Sequence, residues 1–228
     1  MKKVLVWDLP TRLFHWLLVA AIGGAYFTGE TGGNWLVWHE RFGIFIAGLI
    51  AFRLVWGFAG STYARFSTFV RGPSAIKAYL AGQWQGLGHN PLGALSVLGL
   101  LALVAIQLGT GLFAQNDDTG FAGPFYALVS DNLGSIATRL HHKIFDLLAV
   151  LVGLHVAAIV FYTHVKKDNL LKPMVLGHKE VREGESARGG SLIAFVVALV
   201  IAMAVAYGAS GIWVEKPPAP PPAASPAW

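Results

Sequence analysis

The sequence predicts an all-α fold: an integral membrane helical bundle with a four-helix core and a fifth, C-terminal transmembrane helix. Three observations carry this. The chain is 55% hydrophobic and only 13% charged, with a mean hydropathy of +0.57, a membrane composition rather than that of a soluble domain. Apolar runs recur at the length of ~20 residues that a helix needs to cross a bilayer. Lysine and arginine collect in alternate connections between those runs, as expected for a chain threaded back and forth through a membrane.

The first span is expected at residues 11–27. Asp8 and Pro10 precede it, a helix cap and a proline suited to the first turn. Met1, Lys2 and Lys3 followed by an apolar run imitate a signal peptide. However, Asp8, Pro10, Arg12 and His15 interrupt the run and no small-residue cleavage site follows, so this segment reads as a retained helix. The second span is expected at residues 38–58, and the third at 91–114, opened by Pro91. The fourth covers 139–165. The fifth covers 191–213 and holds neither histidine nor charge, so it reads as a packing or anchoring helix.

The connection 60–90 carries Arg65, Arg71 and Lys77. The connection 166–190 carries Lys166, Lys167, Lys172, Lys179, Arg182 and Arg188. The opposite connections, 28–37 and 115–138, have no lysine or arginine. Positive-inside bias therefore places the N-terminus and the two basic connections in the cytoplasm and the C-terminus outside. The net charge of +5 is accounted for by these loops and is not a nucleic-acid signal. Trp7, Trp16, Trp35, Trp38, Trp56 and Trp213 fall near span ends, where an interfacial belt places tryptophan. The expected organisation is a four-helix domain over 1–180, the fifth helix within 181–215, and a disordered proline- and alanine-rich tail over 216–228. The 27 glycines admit two readings: close helix packing, or room for a flat group beside a backbone.

Histidines carry the chemistry. The fourth span holds His141, His142, His155 and His164, and an ionisable group inside a membrane helix is a candidate functional residue. His141 and His155 are fourteen positions apart, which on a helix places them within ~40° of one face and ~21 Å apart along the axis. His142 and His164 point roughly away from His155. With the expected topology, His15 and His155 lie at the cytoplasmic level, and His39 and His141 at the outer level. Each pair takes one member from the fourth helix. His89 and His178 lie in connections and read as solvated.

There is no cysteine, which excludes thiolate-held iron–sulfur clusters, disulfides and C-x-x-C-H haem attachment. Imidazole suits zinc, copper, nickel and iron alike. A closed zinc site takes four ligands, whereas here each level offers two, with Glu40 and Asp146 the acidic residues at matching depth. Two haems b, each held by two histidines, account for the count, the pairing and the missing cysteine together. The alternative is a set of ordinary interfacial or packing histidines.

Arg12-Leu13-Phe14-His15-Trp16, Trp38-His39-Glu40 and two fourth-helix histidines fourteen apart make the chain, over about residues 4–180, resemble the bacterial cytochrome b-561 family. That family includes the b-type cytochrome subunits of membrane-bound nickel–iron hydrogenases. The resemblance implies a four-helix core with two non-covalent haems b. His15 and His155 would ligate the cytoplasmic-side haem, and His39 and His141 the outer one. It also implies electron transfer between the membrane quinone pool and an outer redox protein, a c-type cytochrome or a hydrogenase-like enzyme. The fifth helix and the tail depart from the minimal four-helix members.

Two other functions stand beside this electron-transfer role. One is a self-contained superoxide-to-quinone oxidoreductase. The other is a histidine-based proton or metal transporter, although the spans offer little of the polar file a transporter needs. Haem propionates would meet cations: Arg12 and Arg53 at the cytoplasmic level, and Arg41, Arg139 and Lys143 at the outer level. Snorkelling to lipid headgroups is the competing role for each. Quinone is expected at the cytoplasmic haem, near Arg12, Arg53, His89 and His164 with Trp16 and Trp56 as walls. Asp117, Asp118 and Asp131 make the outer connection acidic, which either steers a basic partner or leaves a solvated loop.

Overall fold

The computed structural model describes residues 1–84, 86–116 and 121–215. The expected tail, 216–228, and the acidic pair Asp117 and Asp118 lie outside these residues.

A short strand, β1 (Lys2–Leu5), leads into helix α1 (Leu9–Thr31). Asp8 caps α1, its carboxylate accepting from the Thr11 amide at 2.9 Å, with Pro10 in the first turn. A single 3₁₀ turn at Gly33–Trp35 reverses the chain into α2 (Leu36–Ala59). Two short helices follow, α3 (Phe66–Phe69) and α4 (Pro73–Leu80). Asn90 caps α5 (Pro91–Phe113) by accepting from the Gly93 amide. A two-residue hairpin, β2 (Gln115–Asn116) with β3 (Phe121–Ala122), connects to α6 (Asp131–His164). Then come α7 (Leu171–Leu176), β4 (His178–Val181) and α8 (Leu192–Ala209).

Four helical segments among the described residues are long and apolar enough to cross a membrane: Gly33–Ala59, Pro91–Phe113, Asp131–His164 and Leu192–Ala209. The last is the expected C-terminal span. Helix α1 has the length, 23 residues, but Arg12, His15 and Glu30 lower its apolar content. Helix α6 begins at Asp131, eight positions before the expected 139, so much of the supposed outer loop is helix. Asp131 in the first turn suits the positive end of the helix dipole.

Helix α2 packs along α8 and α1, and α5 packs along α6, while α2 touches α5 over a shorter stretch. Two layers result. Phe14, Phe52, Trp56, Ala198 and Ala202 form one core cluster; Ala21, Ile46, Ile50, Val104 and Leu148 form the second, where the layers meet. The α2–α8 contact depends on small residues. A Cβ on Gly48 would come 3.1 Å from the Ala202 carbonyl oxygen, the close approach typical of membrane helices.

The basic connections are folded. Strand β1 pairs antiparallel with β4, in the register Lys2 with Val181 and Leu5 with His178. Val4 is fully buried beneath this ribbon, with Val6 and Trp7 beside it. The Val6 and Trp7 amides both donate to the Gly177 carbonyl, at 2.8 and 3.1 Å. Thr62 and Arg188 exchange backbone and hydroxyl hydrogen bonds, and the Tyr63 hydroxyl donates to the Glu185 carbonyl at 2.7 Å. The two strands lie about 176 residues apart in the chain, so their pairing has no local signal.

Candidate functional site

At the end of the bundle away from the basic connections, a cavity of about 630 Å³ opens between the two layers. Its size is that of a ligand site, typically ~300–1,000 Å³. His39 of α2 and His141 of α6 both line it. Their ring centres are 5.9 Å apart and the ring planes cross at 80°. Each ring is fixed by its Nδ1. His39 Nδ1 donates to the Ala25 carbonyl at 2.7 Å, and His141 Nδ1 to the Gln107 carbonyl at 3.0 Å. A ring that donates from Nδ1 keeps the lone pair of Nε2 for a metal. Thr110 Oγ1 lies a further 3.2 Å from His141 Nδ1.

Two glycines make room for these rings. A Cβ on Gly29 of α1 would lie 2.8 Å from His39 Nδ1, and one on Gly111 of α5 would lie 2.9 Å from His141 Cε1. Each layer thus has a glycine against its own histidine. Neither glycine has a sequence signature, because the helix rotation that brings it to the ring is a tertiary property.

The cavity wall also contains Glu30, Glu40, Asp146 and His142, but no lysine or arginine among the described residues. Arg139 and Lys143 are exposed and do not line it. Arg41 stacks on Trp38, its guanidinium carbon 4.8 Å from the ring centre, which is the interfacial role. His142 shares the cavity although helix phase turns it away from the His155 face.

The other site lies toward the basic end. His15 and His155 are within electrostatic reach of each other, and His89 is within reach of both and of Arg53. His155 Nδ1 has Ser96 Oγ at 3.5 Å, a marginal hydrogen bond, and His15 Nδ1 is enclosed without a partner. Among the described residues, every enclosed side-chain atom lacking a partner belongs to this end except Gln107 Oε1. They include Arg12 Nε, Arg53 Nη1, Arg65 Nε and His89 Nδ1. Unpartnered buried groups are rare in native proteins and point to a missing ligand, ion or water.

Arg53 is only 3% exposed, stacked on Phe66 at 4.8 Å. Arg12 donates from Nη1 to the Val175 carbonyl at 2.6 Å. His89, expected in solvent, is held between Trp7 and Phe69, with ring centres 4.6 and 4.7 Å away. Its Nδ1 is enclosed although the residue as a whole is half-buried, and burial, with Arg53 next, pushes its pKa down to about 3. Trp56 does not wall an open cleft. It is 1% exposed, packed against Phe52 and Phe195, and its indole donates to Asp8 at 2.9 Å. Trp16 donates to the Met174 carbonyl at 3.2 Å. His164 is exposed at the end of α6, and His178 Nδ1 donates to the Leu176 carbonyl. No group of three or more side chains placed to hold a metal ion by themselves occurs among the described residues.

The family model described as prokaryotic cytochrome b561 matches residues 6–177. A probable Ni/Fe-hydrogenase B-type cytochrome subunit of Azotobacter chroococcum mcd 1 is 26% identical over 217 residues, covering 79% of this chain and 90% of the relative. The Azotobacter vinelandii counterpart, of the same description, gives the same identity and coverage. That of Rhodobacter capsulatus is 23% identical over 219 residues, covering 79% and 83%. No solved structure matches significantly. With paired histidines in a membrane-length bundle and a family match over most of its length, the chain belongs to the prokaryotic cytochrome b561 family, multi-pass bacterial membrane b-type cytochromes that transfer electrons through haem b.

Proposed function

We propose that the chain is a two-haem electron conduit linking a redox protein at the His39 end to quinone at the His15 end. The carrying observation is the His39–His141 pair: two imidazoles facing one cavity, both fixed through Nδ1 to backbone carbonyls. The pair fits haem b. His39 and His141 would hold it through Nε2, and Gly29 and Gly111 keep the space clear. His15 and His155 would hold the second haem, where His15 Nδ1, Arg12 Nε and Arg53 Nη1 still lack partners. Each haem supplies a one-electron couple when bound.

The chain's own residues do the rest. Backbone carbonyls of Ala25 and Gln107 orient the outer ligands. Arg53 offers a buried cation to a propionate, and Arg12 offers its free Nε. Quinone reduction consumes protons, and the buried, unpartnered Arg12 Nε, Arg53 Nη1 and His89 Nδ1 at this end support a head group being bound there. The basic connections support a cytoplasmic position for this end. The hydrogenase-subunit descriptions of the relatives support a hydrogenase-like donor at the other end. The carboxylates of the outer cavity repel an anion such as superoxide, which favours the conduit over a superoxide oxidase.

Haem content of purified variants tests the assignment. His141→Ala and His155→Ala should each retain one haem of two, and His142→Ala both. Two haems in both of the first variants would overturn it.

A further inference from the structure

We infer that the corner joining α6 to α7 is a seat for an anionic phospholipid, with Lys166, Lys167 and Lys172 around its headgroup phosphate and its acyl chains on the exposed apolar face of α7. The inference does not depend on how the haems are held.

The corner carries these three lysines within seven positions. All three are exposed, and none takes part in the ion pairs among the described residues, which join Lys179 to Asp168 and Arg188 to Glu185. Asp168 follows Lys167 directly and would offset part of this charge were it free. Its carboxylate is instead 2.7 Å from the Lys179 ammonium on β4. The corner therefore presents three cations while its own carboxylate is engaged elsewhere. Lys167 also has a φ of +55°, the left-handed conformation, which no other non-glycine residue adopts among the described residues. Glycine is the usual occupant of such a position after a helix, so a lysine here bears a conformational cost that glycine avoids.

Depth distinguishes a lipid from a soluble anion. The Trp16 indole donates to the Met174 carbonyl at 3.2 Å, and Arg12 Nη1 to the Val175 carbonyl at 2.6 Å. Both donors belong to the first two turns of α1, so α7 is tied at the level where the long helices enter the bilayer. Pro173 turns inward and is buried, whereas Leu171, Val175 and Leu176 are 49%, 50% and 56% exposed. Bare apolar side chains beside lysines mark a segment lying in the membrane interface, its apolar groups at the acyl boundary and its ammonium groups among the headgroups. A free phosphate would meet the lysines and leave the apolar face bare; a phospholipid covers both. A zwitterionic headgroup brings its own ammonium against the lysines, so the seat selects an anionic one. Each lysine near an anionic lipid surface contributes about fivefold in affinity.

The purified full chain in detergent, titrated with phosphatidylglycerol or phosphatidylcholine and followed by native mass spectrometry, tests this. The parent should retain one phosphatidylglycerol more tightly than phosphatidylcholine. Lys166→Gln, Lys167→Gln and Lys172→Gln combined should weaken phosphatidylglycerol by about fivefold for each lysine replaced and remove the preference. Lys167→Gly keeps the backbone at ease, so it remains informative if the triple variant fails to fold, and it should lose about fivefold by itself. Arg71→Gln with Lys77→Gln, in the other basic connection, should leave binding unchanged. Inorganic phosphate should not displace the lipid when ionic strength is matched with sodium chloride. Equal affinity of the parent for both lipids, a Lys167→Gly chain that binds as the parent does, equal loss in the Arg71 and Lys77 variant, or displacement by inorganic phosphate overturns the inference.

Discussion

The rings of His39 and His141, 102 positions apart in sequence, face each other with centres 5.9 Å apart and planes crossed at 80°. Each is backed by a glycine on the neighbouring helix, Gly29 and Gly111. That backing is directly testable. Gly111→Ala places a methyl 2.9 Å from His141 Cε1, and overpacking of this kind costs roughly 1–3 kcal/mol. The expected outcome is reduced occupancy of the outer haem with the inner haem intact, read from haem-to-protein ratio and the difference spectrum. Gly23→Ala, where an added Cβ meets nothing within 4 Å, is the control and should change neither.

Asp8 joins two helices with one carboxylate. Oδ1 caps α1 through the Thr11 amide and Oδ2 accepts from Trp56 Nε1, both at 2.9 Å. Asp8→Ala loses the cap and leaves the buried indole N–H unpaired, together about 2–3 kcal/mol. Thermal unfolding in detergent should show a clearly lower midpoint for Asp8→Ala and a smaller loss for Asp8→Asn, which keeps one acceptor. Equal midpoints for all three proteins would show that the link contributes nothing.

Gly177 is expected to resist substitution. Its φ of +85° is a left-handed conformation, and a Cβ there would lie 2.9 Å from the Trp7 carbonyl oxygen. An ordinary residue in such a conformation costs roughly 1–2 kcal/mol before any clash. Gly177→Ala should loosen the β1–β4 ribbon, and limited proteolysis should then cut residues 178–190 faster than in the parent chain. An unchanged cleavage rate would count against the ribbon as a structural clamp.

His89 predicts an acid limb to the stability profile. Burial, followed by Arg53, His155 and His15, pushes its pKa down to about 3 from the ordinary 6.5. The unfolded chain therefore binds a proton near pH 6.5 that the folded chain refuses until about pH 3. Its contribution is full above pH 6.5 and is lost progressively as the pH falls toward 3. His89→Phe, which keeps an aromatic ring between Trp7 and Phe69, should flatten that limb in denaturation measured across the range. A parallel decline in parent and variant would assign the limb to other groups.

Much of the architecture was legible in the sequence. Spans at residues 38–58, 91–114 and 191–213 correspond to α2, α5 and α8 within a few residues at most ends. Hydropathy and caps are properties of neighbouring residues, which is why Asp8, Pro10 and Pro91 mark helix starts correctly. Other features have no local signal. Residues 131–138 look like a polar loop yet continue α6, since Thr138 donates back to the Gly134 and Gln115 carbonyls and ties the extra turns to β2. His89 lies in a polar stretch, and only the fold brings Trp7 and Phe69 to its two sides.

The sequence by itself determined the membrane bundle and the shared face of His141 and His155, because length, hydropathy and helical phase suffice for these, and its histidine-bearing motifs carried the resemblance to the family. The tertiary structure decided the rest. It turned Arg53 into the protein and left Arg139 outside, set carboxylates rather than cations around the outer cavity, and joined the N-terminus to β4. Those outcomes depend on how far each helix is rotated about its axis and how far apart the two layers stand. Rotation and spacing are fixed by packing between residues distant in the chain, such as Gly48 against Ala202, and no local pattern encodes them.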